Sequence, residues 1–179
     1  MANQTGIFNH MVTDWRAQLI KRNIQWLRQS HNLLQSIDDR TYAAICPQMQ
    51  RQSVSHYIHA LLEFYERFLD GVGSGHIDYD SPDRQAYIGG RATRQATMDR
   101  ISAIISRLQS CAKPSEDATL WICSLCTGRP PFLRPLMASS MSRELDFLSG
   151  QAVHGLALSA IALQLIGASR KSDPGAQAA

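Results

Sequence analysis

Apolar residues recur at helical spacing in four stretches of the chain. The first predicts a helix from about Thr13 to about Ile37, with Trp15, Leu19, Ile20, Ile24, Trp26, Leu27, Leu33 and Leu34 in phase and Thr13 or Asp14 as its cap. The second opens near Ser53, after Pro47, and gathers Val54, Ile58, Leu61, Leu62, Tyr65, Phe68 and Leu69 on one broad face. Gly71, Gly73 and Gly75 end it. A third helix is expected from about Ala92 to Cys111, with Met98, Ile101, Ile104, Ile105 and Leu108 inward and a stop at Lys113-Pro114. The fourth runs from about Ser140 to Gly167, is apolar on most sides, and is therefore expected to be the most buried.

The stretches between these helices differ in kind. Gly71 to Gly90 is rich in Gly, Asp and Ser and reads as a long connection. Thr119 to Cys126 has strand-like composition and leads into Pro130, Pro131 and Pro135, which predicts an extended crossover with a short hairpin. Two long connections among four helices indicate a bundle with crossovers rather than an up-down-up-down meander. The expected fold is thus all-α, one domain over residues 1–167, with residues 168–179 as a disordered tail.

Composition narrows the function classes. Hydrophobic residues at 44% and charged residues at 18% fit an ordinary globular domain of 179 residues. The net charge of +3 comes from scattered single arginines, so no nucleic-acid partner is expected. Met1 to His10 lacks a basic segment followed by an apolar one, and Ala157 to Ala168 is interrupted by Ser159 and Gln164. A cytoplasmic chain without membrane association is the expectation. Cys46, Cys111, Cys123 and Cys126 do not form a disulfide framework, and the single CxxC at Cys123 lacks the two further ligands that a zinc knuckle needs.

Two segments carry a more specific signal. One is Ser53-Val-Ser-His56-Tyr57-Ile-His59-Ala-Leu-Leu-Glu63-Phe, followed by Leu69-Asp-Gly and Ile77-Asp-Tyr-Asp80. The other is Arg143-Glu144-Leu-Asp-Phe147, leading into Gln151-Ala-Val-His154-Gly155-Leu-Ala-Leu158. In this order they resemble the DinB/YfiT-like superfamily of four-helix bundles, in which helix two carries an HxxHxxDH stretch, an Asp-Tyr-Asp connection follows, and helix four runs from Arg-Glu-Leu-x-Phe into HxxHH. The resemblance spans residues 13 to 167 or so.

The resemblance implies a divalent metal, commonly nickel or zinc, held by one histidine of helix two and two of helix four, in thiol-dependent transferases, isomerases or hydrolases. Those three positions fall here on His59, Gln151 and Gly155. Gln is a weak neutral donor and Gly has no side chain, so no cofactor is expected at the inherited site. A rebuilt metal set of His59, Glu63 and His154 is the alternative. Loss of a side chain at Gly155 is expected to open a concavity between helices two and four. His59 or His154 would serve there as general acid or base, with Glu63 orienting it and Gln151 donating a hydrogen bond. His56, Tyr57, Gly155 and Phe147 would line that small-molecule pocket. Arg143 and Glu144 are expected to pair with each other. His10, His31 and His76 are read as solvated, and Tyr65 and Trp121 as core or pocket wall. A metal-independent enzyme or small-molecule binder is the leading expectation. A non-catalytic helical protein acting as a homodimer, or a metalloenzyme with altered ligands, are the others.

Overall fold

The computed structural model describes residues 4–79, 92–111, 119–123 and 135–172, with side chains for 15–79, 92–111, 119–123 and 135–167. Among these residues the chain is mostly helical but carries two small sheets, which corrects the all-α expectation. Helix α1 spans Gln4–Gln35 and so begins well before the cap signals at Thr13 and Asp14. A short helix α2, Asp39–Ala43, follows, with the Asp38 carboxylate accepting from the Thr41 N–H at 2.6 Å. Strands β1 (Ile45–Cys46) and β2 (Gln52–Ser53) form an antiparallel hairpin that leads straight into α3, Val54–Gly71. Ser53 caps α3 by accepting from the His56 N–H.

The end of α3 depends on glycine. A Cβ on Gly71 would lie 2.3 Å from the His76 carbonyl oxygen, because the chain folds straight back as β3, His76–Asp78. Helix α4, Arg94–Ser110, is capped by Thr93. Strand β4 (Thr119–Cys123) lies between β3, to which it is parallel, and β5 (Leu136–Ser140), to which it is antiparallel. The extended reading of Thr119–Cys123 agrees with β4, whereas its antiparallel partner β5 begins just beyond the Thr119–Pro135 stretch that the hairpin reading covered. Cys126, Pro130 and Pro131 lie outside the described residues. The last helix, α5, is Met141–Ser172, so residues 168–172 of the expected tail are helical and 173–179 lie outside the description.

Helices α4 and α5 each pack against both α1 and α3. Leu27, Leu34, Ile58, Leu62, Phe68, Ile101, Leu108 and Leu145 are fully buried between them, and Ile77, Leu120 and Ile122 add the inner face of the three-stranded sheet. Trp15, expected inward, is exposed. The fourth long helix is not the most buried one. One side of α5 is packed, while Val153 and Ile161 on the other side are each 46% exposed. Its Met141–Gly167 stretch is long and apolar enough to cross a membrane by length and composition, although its inner face is occupied by α1 and α3.

A polar side chain in this core links three helices. Asn23 of α1 has no exposed surface, and its amide donates to the carbonyls of Leu19 and Leu145, both at 2.9 Å. Its Oδ1 accepts from the Tyr65 hydroxyl of α3 at 2.6 Å. The amide therefore ties α1, α3 and α5 together, and it leaves neither its own groups nor Tyr65 unsatisfied. Around the outside, arginines spaced along α4 reach the neighbouring elements. Arg94 pairs with Asp39, Arg100 with Glu66 and Arg107 with Asp70. The two exposed pairs, those to Asp39 and Asp70, add little each.

Replacing Asn23 by alanine strands the Tyr65 hydroxyl in an apolar core and is expected to cost about 2–4 kcal/mol. Urea unfolding measures this; a loss below about 0.5 kcal/mol would show that the amide does not hold the helices together.

Candidate functional site

The histidine at the matched helix-two position is enclosed by polar partners from α2 and α4. Arg100 Nη1 lies 2.8 Å from His59 Nδ1, while Nε2 is 2.9 Å from the Tyr42 hydroxyl and 3.2 Å from Thr97 Oγ1. A guanidinium only donates, so Nδ1 must be the acceptor and the ring proton must sit on Nε2. The direction of the remaining bonds then follows. His59 donates to Tyr42, the Tyr42 hydroxyl donates to Thr97 Oγ1 at 2.7 Å, and Thr97 donates to the Thr93 carbonyl at 3.2 Å. Arg100 is itself held by two bonds to the Glu66 carboxylate.

The electrostatics agree with this chain of donors. Burial, then the positive charge of Arg100, hold the His59 imidazole below its ordinary value, so it is neutral. Burial likewise raises the Tyr42 phenol, which keeps the proton it donates. Both ring nitrogens of His59 are committed to structural bonds, and neither is available to a substrate or a metal without breaking them.

A second cluster joins the two stretches that carried the family resemblance. Tyr79, from the Asp-Tyr-Asp connection, donates to Glu144 Oε2 at 2.8 Å, and Ser139 Oγ donates to Oε1 at 2.5 Å. Glu144 is buried in the first turn of α5, where the helix N-terminus favours a negative charge. Its oxygens are thus taken by two hydroxyls instead of by Arg143, the expected partner. Burial and the Glu144 charge keep the Tyr79 phenol protonated. The rings of Phe64, Tyr79 and Phe147 pack directly on one another, with centroids 5.3 to 5.9 Å apart.

The expected catalytic group of His59, Glu63, Gln151 and His154 is not brought together. On α3 it is Tyr57 and Leu61 that meet α5 at Gly155, and residues two places away on a helix point about 200° around it. His59, two from each, therefore lies on the far side of α3. Glu63, one turn from His59, is buried on that same side. On α5, Gln151 is half-buried beside Gly155, and His154 is exposed. The concavity expected at Gly155 is closed as well. A Cβ there would lie 3.4 Å from Leu61 Cβ and 3.7 Å from the Tyr57 carbonyl oxygen, leaving room for a methyl group and no more. His56 stands edge-on to Tyr57 at 5.6 Å. Phe147, expected as pocket wall, packs on Phe64 and Tyr79 and is 38% exposed.

Among the described residues no group of three His, Cys, Asp or Glu side chains is placed to hold a metal ion. The residues at the inherited positions do not fit nickel or zinc. One of them has its nitrogens occupied, one is a neutral amide, and one has no side chain. Glu66, seven residues from His59 and so on the same helix face, holds the arginine that bonds His59. No such spacing pointed to Tyr42 or Thr97. Compared with family models, curated proteins and solved structures, the chain matches none.

Because the folded chain favours neutral His59, it binds fewer protons than the unfolded chain between the depressed folded value and the ordinary one near 6.5. Stability is expected to fall as pH drops below about 6.5 and to stop falling, for this group, once the folded value is passed. His59→Gln keeps an acceptor for Arg100 and a donor for Tyr42 but cannot titrate. Subtracting its stability profile from that of the parent between pH 5 and 7, roughly, isolates the effect, and two parallel profiles would rule it out.

Proposed function

We propose that this chain is a soluble, cytoplasmic four-helix bundle of DinB-like type in which the metal centre has closed, leaving a non-catalytic protein that acts by binding a partner. The bundle reading is supported by the way α4 and α5 each pack against both α1 and α3. The family reading draws on the meeting of its two signature stretches at Tyr79 and Glu144. The observation that carries the functional reading is the commitment of both His59 nitrogens on the side of α3 turned away from α5.

This reading displaces the metal-independent pocket, because general acid–base work needs an imidazole that can reach a substrate proton. His59 is tied on both nitrogens, and His154 stands exposed on α5. It also gives the Gly155 position a reason. Small residues at a helix contact let the backbones approach closely, and a histidine there would have to displace Leu61.

Metal analysis of protein purified without chelator or affinity tag tests the proposal. The parent chain is expected to carry far less than one nickel or zinc per molecule. So is a Gln151→His, Gly155→His variant, provided circular dichroism shows it helical. Stoichiometric metal in the parent that disappears in His59→Ala would overturn the closed-site reading, and so would stoichiometric uptake by the double variant.

A further inference from the structure

Helix α5 carries two lengthwise stripes at alternating spacings of three and four residues. The inner one runs from Leu145 and Leu148 through Ala152 and Gly155 to Ile166, and it is buried by α1 and α3. The outer one is Gly150, Val153, Ala157, Ala160, Gln164 and Gly167, every one of them exposed. No charged residue interrupts it, and among the described residues nothing beyond the adjoining turns of α5 itself lies within 4 Å of where a Cβ on Gly150 or Gly167 would be. Ile161 and Val153 each present nearly half of their surface to solvent along it. An apolar face with this period is the packing face of a helix pair. A helix that shows it twice is built to pack twice.

We propose that the outer face of α5 pairs with the same face of a second copy of this chain, antiparallel, about a two-fold axis passing beside positions 158 and 159. The charges at the ends of the stripe choose this partner and this direction. Continuing the same spacing outward reaches Asp146 at one end and position 171, a lysine, at the other. An antiparallel pair sets Asp146 against Lys171 of the second copy at both ends. A parallel pair would set like against like. Asp146 engages Arg22 through Oδ1 and its side chain is exposed.

The same axis sets Gly150 against Gly167, Val153 against Gln164, and Ala157 against Ala160 of the second copy. Small residues at the centre allow close approach of the two backbones, and the interface is self-complementary as a two-fold requires. This assignment names the partner in the non-catalytic reading above. It fails separately, since metal content decides that reading and assembly state decides this one.

The test is the assembly state of the full chain, by sedimentation equilibrium at up to about 100 μM. The parent is expected to be a dimer. Ala157→Glu, exposed in the single chain and compatible with helix, is expected to weaken the dimer at least ~tenfold while the helical circular dichroism is kept. Asp146→Lys is expected to weaken it too, and Asp146→Lys with Lys171→Asp to restore it. Ala157→Cys with Ala160→Cys is expected to yield a covalent dimer on oxidation. A monomeric parent would overturn the proposal. A dimer indifferent to Ala157→Glu would place the interface elsewhere and overturn it equally, and failure of the charge exchange to restore pairing would overturn the antiparallel register.

Discussion

The arrangement of the long helices turns on one buried amide. Asn23 has both amide hydrogens and its oxygen engaged, with partners on α1, α3 and α5. Each of those bonds contributes modestly in net terms, because the unfolded chain makes equivalent bonds to water. Their power lies in what a misplacement would do. Sliding α5 by one residue along α1 would take the Leu145 carbonyl away from the amide, and turning α3 would take away the Tyr65 hydroxyl. Either leaves a polar group unsatisfied among buried apolar side chains, a larger penalty than the bond itself is worth. A core of leucine and isoleucine alone tolerates such slips far better. The amide therefore does for these helices what a single buried asparagine does in a coiled coil: it selects one register from several of similar apolar content.

With that register held, the positions of the other polar groups follow. Leu145 under Asn23 puts Gly155, close to three turns further on, against Leu61 and Tyr57. It also puts Glu144, the residue before Leu145, under Tyr79 and Ser139. At Gly155 the contact between α3 and α5 is made by residues 57 and 61 of α3, which leaves position 59 facing α2 and α4. A histidine there finds an arginine, a tyrosine and a threonine as partners. Its neutral form is the one those three partners require, so the histidine ties α2 and α4 to α3 and contributes nothing to the α3–α5 contact.

How far this was readable beforehand depended on which physical signal each feature carries. Periodicity located the four long helices because a 3.6-residue repeat is a property of the segment itself. Thr119–Cys123 was legible as extended for a similar reason, being rich in β-branched and aromatic residues. Strands β1, β2, β3 and β5 were not, since two to five residues become a strand only through the partner they meet. The candidate site failed at a different level. Spacings of three and four place residues on one face of their own helix, and they say nothing of which way that face is turned toward the next helix. The apolar arc of Ile58, Leu61, Leu62 and Tyr65 did contain the warning, for it sets His59 at the margin of the buried side.

Helix α5 marks the limit of hydropathy as a guide to burial. A helix apolar on most sides reads as one that is buried on most sides, because in a single chain those are the same thing. They separate when the second apolar face lies outside the fold. Ala152, Gly155 and Ser159 on the inner side, and Gly150, Ala157 and Ala160 on the outer, are small on both faces, and small residues matter only where another backbone comes near. On the inner face that backbone is α3, and it explains Gly155 without reference to any lost ligand. Among the described residues nothing explains the outer face, where glycine and alanine cover no surface and add no contact in solvent. A surface under no constraint but solubility would carry lysine and glutamate there. The absence of charge from Gly150 to Gly167, bounded by opposite charges at either end, is the pattern expected of a helix selected to meet another helix.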